Sequence, residues 1–461
     1  MSGEGGPTPL WGGRFSKLPA EEAARLGRSL EFDIEMLDVD IGASVAHVRG
    51  LEDAGLLTEE EARSLEEALE AVPEQLEELD AGAFAEIEDV HLLVERLVTD
   101  RLGDLGAKLH AGRSRNDLVV TDFRLWSLGA CGMIVEQVEE LLRVLVRRIR
   151  EGAEWVMPGL THDRPAQVVT LGYVLAAHAF GLLRDLERLE DWTSRAAVSP
   201  LGAGALATTT LDLDPEKTAE RLGLLGAFEN GLDAVADRDF VVEFAAALAI
   251  LGVHLSRLAA DFARWSDPRL GYARIDEAYS TGSSMMPQKR NPDVLELVRG
   301  KAARLAGDLT TVVSLTAGLP LGYHRDLQED KEPVFDAVLT IATALPALIG
   351  CVATATIDPE AMRRDCEDES LYATDLAEAL VVSGVPFRDA HRRTGEFLRR
   401  LEGEGRGLHE LTAAEWKEFG VPGGGGMLDP DLSVRARKMR GGPSPDSVRS
   451  QADAIEGRLG A

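Results

Sequence analysis

The run Phe244-Ala-Ala-Ala-Leu-Ala-Ile-Leu-Gly-Val253 has no polar residue on any side. Its alanines and leucines favour helix over strand, and a helix that is apolar all round must be surrounded. The run belongs to a longer helical pattern, from about Asp237 to Trp265. Four more such patterns occur, about Asn116 to Glu151, Ala166 to Ala197, Pro292 to Val313 and Pro333 to Ala355. At 1.5 Å per residue these helices are roughly 30–50 Å long. One bundle of five cannot surround them all, so the chain is expected to associate through its bundle.

The flanking regions are helical too. Glu21 to Asp80 has apolar residues at three- and four-residue spacing, with many Ala, Leu and Glu. Asp80-Ala-Gly-Ala interrupts it, and a further helix from Glu86 closes near Gly103. Gly106 to Gly112 reads as a boundary. Beyond Pro359 the chain turns acidic and shorter in period, with a flexible turn at Gly423 to Gly426. The expected fold class is all-α, in three mainly helical domains: residues 1–111, a central long five-helix bundle over 112–362, and a small domain over 363–461. Residues 1 to about 20 read as a tail anchored by Trp11, Arg14 and Phe15.

A net charge of −30 and a pI near 4.7 argue against nucleic acid as partner, because phosphate backbones are held by basic stripes. An anionic substrate would need a locally positive site. Three widely spaced cysteines, Cys131, Cys351 and Cys366, make neither a disulfide framework nor a zinc pattern, so a reducing cytoplasm is expected. The first residues lack a charged start followed by an apolar core, so no signal peptide is expected. The run from Phe244 to Val253 is too short to span a bilayer, and the protein is expected to be soluble, with no membrane partner.

Against this background one polar stretch stands out: Ser280-Thr-Gly-Ser-Ser-Met-Met-Pro-Gln-Lys-Arg-Asn-Pro292. Gly282 and Pro287 deny it a helix and leave backbone N–H groups free. Asn291 then fits an N-cap, Pro292 the first helical position and Asp293 the positive helix end. Ser283, Ser284 and Lys289 are thus presented at a helix N-terminus, where an anion can bind. Only eight of the 49 basic residues are lysines, and three of them, Lys289, Lys301 and Lys331, fall close together. A compact, titratable ammonium is the property arginine cannot supply. A serine-hydrolase reading lacks the Gly-x-Ser-x-Gly elbow between strand and helix, and predicts labelling by fluorophosphonate that is not expected.

Other constellations follow along the chain. His162 comes after Pro158-Gly-Leu-Thr and reads as a helix start, where Glu296 could orient its imidazole. Arg113-Ser-Arg-Asn-Asp117 puts two arginines at the mouth of a helix with no neighbouring acid before Asp117, which favours carboxylate binding. Asp237-Arg238-Asp239 reads as an internally paired cluster, and His91 as packing or capping first and substrate contact second. Tyr323-His-Arg-Asp-Leu-Gln-Glu-Asp-Lys331 is too varied for a plain surface. No His/Cys/Asp cluster has metal spacing, and neither a dinucleotide fingerprint nor a Walker loop occurs, so no metal or cofactor is expected.

Gly282-Ser-Ser-Met-Met-Pro-Gln-Lys-Arg-Asn-Pro292 resembles the signature of the fumarase/aspartase superfamily. Arg113–Asp117, Pro158–His162, Ser199-Pro-Leu-Gly-Ala-Gly, Leu232–Phe240 and Asp326–Pro333 narrow the resemblance to the argininosuccinate lyases, including the lens delta-crystallins. It is nearly colinear from Trp11 to Pro443. It implies cleavage of argininosuccinate to arginine and fumarate through a carbanion. It also implies a homotetramer with a twenty-helix core and active sites built from three chains.

By motif position, the resemblance makes Ser283 the base at the carbon next to a carboxylate. Lys289 and Asn291 would stabilise the doubly negative intermediate, and His162, oriented by Glu296, would protonate the leaving nitrogen. The order of these two proton transfers stays open. Arg115, Asn116 and Thr161 would hold carboxylates, while Ser29, Asp33, Tyr323, Gln328 and Lys331 would bind the amino-acid end. His91, Arg113 and Arg238 are further candidates. The sequence departs from the family pattern at Leu118, Gly231 and His324, and at Asp163 and Pro165, which could alter how the helix at His162 begins. The rival readings are another lyase of the superfamily, such as adenylosuccinate lyase, and a crystallin-like relative without activity.

Overall fold

The computed structural model describes residues 19–79, 82, 84 and 87–460. The tail anchors Trp11, Arg14 and Phe15, and the helix start at Glu86, lie outside the described residues. The chain is all-α in class, helical over 71% of its length with few strands. Helices that position the candidate site are α1 (Leu37–Asp53), α2 (Val90–Leu102), α3 (Arg115–Glu151), α4 (Leu171–Ala196), α5 (Asp239–Trp265), α6 (Asp293–Thr316) and α7 (Lys331–Thr354). The last five match the five long patterns read from the sequence, with ends shifted by a few residues.

Two compact units divide the chain. Residues 1–131, 191–244 and 309–336 form unit one; residues 132–190, 245–308 and 337–461 form unit two. In unit one, Phe123 meets Phe240 and Phe335 edge-on, with ring centroids 5.6 and 6.0 Å apart. Trp192 stacks on Phe244 at 4.5 Å and donates its indole N–H to the Phe240 carbonyl at 2.7 Å. A buried indole needs such a partner. In unit two, two reciprocal pairs join α4 to α5: His178 Nε2 to Asp261 at 2.8 Å, and His254 Nδ1 to Asp185 at 2.6 Å. These histidines fasten the two helices to each other. The small C-terminal core packs Phe397 on Phe419 at 4.1 Å, beside buried Trp416 and Leu380.

The principal departure from the expected helices lies between α3 and α4. Val156–Thr161 (β1) pairs antiparallel with Arg164–Thr170 (β2), from Val156 opposite Thr170 to Thr161 opposite Arg164, with the register shifting at a bulge between Gly159 and Leu160. Pro158 and Gly159 are strand residues, and α4 begins at Leu171 rather than Ala166. Pro158 in β1 and Pro165 in β2 are tolerated because a two-stranded sheet has only edges. A second, smaller ladder pairs Thr281–Gly282 (β3) with Arg290–Asn291 (β4).

By length and composition, helices at Arg115–Glu154, Asp239–Trp265 and Arg325–Thr354 are apolar enough to cross a membrane. The expectation that no segment is long enough counted only an uninterrupted apolar run. Of each most apolar window, 56% is buried inside the chain, so nearly half still faces outward.

Candidate active site

In unit one the candidates converge on the start of α2. Asp89 caps that helix, accepting the Leu92 N–H at 2.7 Å, and its other oxygen takes Arg115 Nη1 at 3.0 Å. The Val90 N–H donates to Asp33 Oδ1 at 3.1 Å, while Ser29 Oγ donates to Asp33 Oδ2 at 2.5 Å. Burial pushes the Asp33 carboxyl above its ordinary range, against the hydrogen bond from Ser29, which favours ionisation. Arg113 is buried and donates to Ser44 Oγ at 2.9 Å. Thus Arg115 has an acidic neighbour after all, 26 residues back in the chain, and Arg113 is a buried strut.

His91 is buried, with Nδ1 2.5 Å from Asp40 Oδ2 and 3.3 Å from Asp122 Oδ2. It packs, and Asp89 does the capping. The donor atoms of Asp40, His91 and Asp122 all lie within 4.8 Å of one another, close enough to hold a metal ion. Sequence spacing had concealed this group, because its members are spread over three helices. A proton accounts for the geometry directly. Burial opposes charge on His91, but the hydrogen bonds it donates to Asp122 and Asp40 outweigh it and hold the imidazole well above its ordinary range. Burial, with repulsion from Asp40, pushes Asp122 up to about 8.

Both groups therefore bind protons more tightly folded than unfolded. Their stabilisation is complete below their unfolded pKa values and is lost as pH rises through the folded ones. The melting temperature is expected to fall as pH rises from the unfolded value of Asp122 toward 8. One pKa unit is about 1.4 kcal/mol, so the fall should be several degrees. Asp122→Asn, which keeps the shape without the charge, should flatten it. An equally steep fall over the same pH range in Asp122→Asn, followed by circular dichroism, would place the effect elsewhere.

The 323–331 stretch joins the same unit. Arg325–Asp330 forms a 3₁₀ turn, and Arg325 Nη2 reaches Glu88 Oε1 at 2.7 Å. Asp330 is buried between Arg238 Nε and Lys331 Nζ, the latter at 2.9 Å. Arg238 is thus paired with Asp330, and Asp237 with Arg124, instead of within their own tripeptide. Lys331 is buried as well as paired, whereas Gln328 and Tyr323 are half-buried. Burial raises the Tyr323 phenol above its ordinary range.

Unit two holds the four residues assigned catalytic roles. His162 and Asp163 are the exposed tip of the β1–β2 hairpin, at φ 53° and 58°. Two successive positive φ angles make the turn whose twist suits a tight hairpin. Asp163 tolerates that conformation and is anchored by Arg264 Nη1 at 2.6 Å. His162 is therefore aimed by a turn, not by a helix start, and Asp163 and Pro165 have no helix there to perturb. Thr161, beside it, is exposed at the strand end.

The two rungs of β3–β4 close a loop around Ser283, Ser284 and Lys289. Ser283 Oγ accepts N–H groups from Met285 at 3.3 Å and Met286 at 3.0 Å. Asn291 lies in β4, and the Pro292 carbonyl opens α6 by accepting from Leu295 and Glu296 at 3.0 and 3.2 Å. The cap is one residue later than expected. Thr281 Oγ1 donates to Asp293 and ties the loop to the helix. Ser284 and Lys289 are exposed, as is Met285. Glu296 faces Arg299 at 3.7 Å, and among the described residues nothing joins it to His162.

A family profile described as lyase matches residues 13–307. With the long helices and the serine loop it defines an enzyme of the lyase class on the fumarase-type helical fold. A profile described as argininosuccinate lyase C-terminal matches residues 370–435. An argininosuccinate lyase from Frankia casuarinae is 45% identical over 454 residues, covering 97% of each chain. The chain belongs to the argininosuccinate lyase family. Among solved structures, EDDS lyase in complex with formate is 27% identical with a TM-score of 0.84, over 95% of this chain and 89% of that one. Class II fumarase from Schistosoma mansoni, 15% identical with a TM-score of 0.73 over 85% of this chain and 91% of that one, shares the fold.

Proposed function

We propose that the protein cleaves argininosuccinate to arginine and fumarate by β-elimination, as a step of arginine biosynthesis in the cytoplasm. The observation that carries this reading is the Ser283 hydroxyl, whose oxygen already accepts two backbone N–H groups in a loop closed by a β ladder. Those donors lower the cost of an alkoxide, the form in which serine becomes a competent base. Ser283 takes the proton from the carbon beside a succinyl carboxylate. The charge then spreads into that carboxylate, next to Lys289 and Asn291. His162 gives a proton to the leaving nitrogen, and Glu296 of the assembled enzyme orients it. Arg115, Asn116 and Thr161 bind carboxylates; Ser29, Asp33, Tyr323, Gln328 and Lys331 serve the amino-acid end, with His91, Arg113 and Arg238 behind them.

The chain is read as three helical domains, 1–111, 112–362 and 363–461, acting as a homotetramer without nucleic acid or membrane. Supporting this are the outward apolar residues of the long helices, among them Val253, Leu297 and Leu339. Further support comes from the placement of every catalytic candidate in unit two and of most binding candidates in unit one. The test is ultraviolet detection of fumarate with argininosuccinate, adenylosuccinate, malate and aspartate supplied separately. Argininosuccinate alone should be cleaved; fumarate from adenylosuccinate but not argininosuccinate would replace this reading.

A further inference from the structure

Asp117 is fully buried, yet its carboxylate is ringed by backbone donors. Oδ1 accepts the Ser114 N–H at 2.9 Å, closing the first turn of α3 from its third helical position. Oδ2 accepts the N–H groups of Gly202 at 3.0 Å and Gly204 at 2.8 Å. Both glycines have positive φ, 106° and 59°, which turns their N–H groups toward one point. Such a concavity binds an anion, and here the anion is a side chain of the protein itself. A Cβ on Gly204 would come within 2.9 Å of the Thr208 carbonyl oxygen, so the loop cannot relax freely around a larger residue.

One residue before Asp117, Asn116 Nδ2 donates to the Ala205 carbonyl at 3.0 Å, immediately after the glycines. The same loop that Asp117 holds therefore sets which way the Asn116 amide faces. With one hydrogen of Nδ2 committed to Ala205, the other is fixed in direction. Asn116 stays half-exposed, so that hydrogen is available to a ligand.

We propose that Asp117 is a positioning residue for the succinyl half of the substrate: by filling the Gly202–Gly204 concavity it orients Asn116 toward a substrate carboxylate. This rests on the argininosuccinate reading above. Asp117 touches no substrate in this scheme and acts only through the loop and Asn116. Asparagine at 117 cannot replace it. Its amide nitrogen would face either the Ser114 N–H or the glycine N–H groups, donor against donor.

The experiment measures kcat, KM and product inhibition by fumarate and by arginine for wild type, Asp117→Asn, Asn116→Ala and the double variant. Lost hydrogen bonds to a charged group predict an about ten-fold or greater rise in KM and in the fumarate inhibition constant for Asp117→Asn. Inhibition by arginine should stay near wild type. The double variant should be little worse than either single one, because both remove the same oriented amide. If Asp117→Asn does not fold, Gly204→Ala carries the same test from the loop side. Equal weakening of fumarate and arginine, or fully additive single effects, would reduce Asp117 to a general structural role and overturn the proposal. So would unchanged fumarate inhibition in an active Asp117→Asn or Gly204→Ala. An inactive wild type would overturn the argininosuccinate reading together with it.

Discussion

Ser283→Ala is expected to lower kcat by about 10²–10⁴-fold, the range a positioned base supplies, while leaving KM nearly unchanged. The hydroxyl is the one side-chain group of the loop that its own backbone N–H groups address, at 3.0 and 3.3 Å from Met286 and Met285. Removing it leaves those donors facing solvent, at little cost to a loop that is already exposed. Carboxylate contacts made elsewhere should still hold the substrate. Single-turnover and equilibrium binding measurements separate the two effects. Near-normal turnover would take Ser283 out of the mechanism.

The second large effect concerns assembly. His162→Asn and Gln328→Ala should each abolish most activity, yet mixing them should restore part of it. The motive is the homotetramer proposed above, together with His162 belonging to unit two, Gln328 to unit one, and apolar residues of the long helices being exposed on the single chain. In a mixed tetramer whose sites draw on several chains, some sites collect both substitutions and others neither. Recovery is limited by the statistics of mixing and should stay well below wild type. The two variants are dissociated, reassembled together and assayed for fumarate. No recovery, with mixed tetramers verified by native mass spectrometry, would mean that both residues come from one chain.

The long helices were legible because their apolar positions repeat over twenty or more residues, and α5 could hardly be anything else. The hairpin at 156–170 was not. Pro158, Gly159 and Pro165 break any period-two pattern, and the turn is His-Asp instead of the usual Asn-Gly. Its one signal was the β-branched run Val168-Val-Thr170. For the candidate site, Ser283 and its loop announced themselves by composition, but the partners of Arg115 and His91 did not. Asp89 and Asp40 lie 26 and 51 residues away, and only packing of α1, α2 and α3 brings them together. A residue's charge can be read from sequence; whether that charge is already spent on a neighbour cannot.

The hairpin tip has a consequence for how this protein can change over generations. A left-handed backbone costs a residue with a Cβ roughly 1–2 kcal/mol, and here two adjacent side chains bear it. Glycine would relieve the strain at position 162 but would remove the imidazole. Position 163 is freer, since its side chain only holds Arg264. If His162 acts as proposed above, substitutions that make the chain sturdier are open at one of these neighbours and closed at the other. Drift toward heat resistance would leave its mark at 163 while 162 stays histidine.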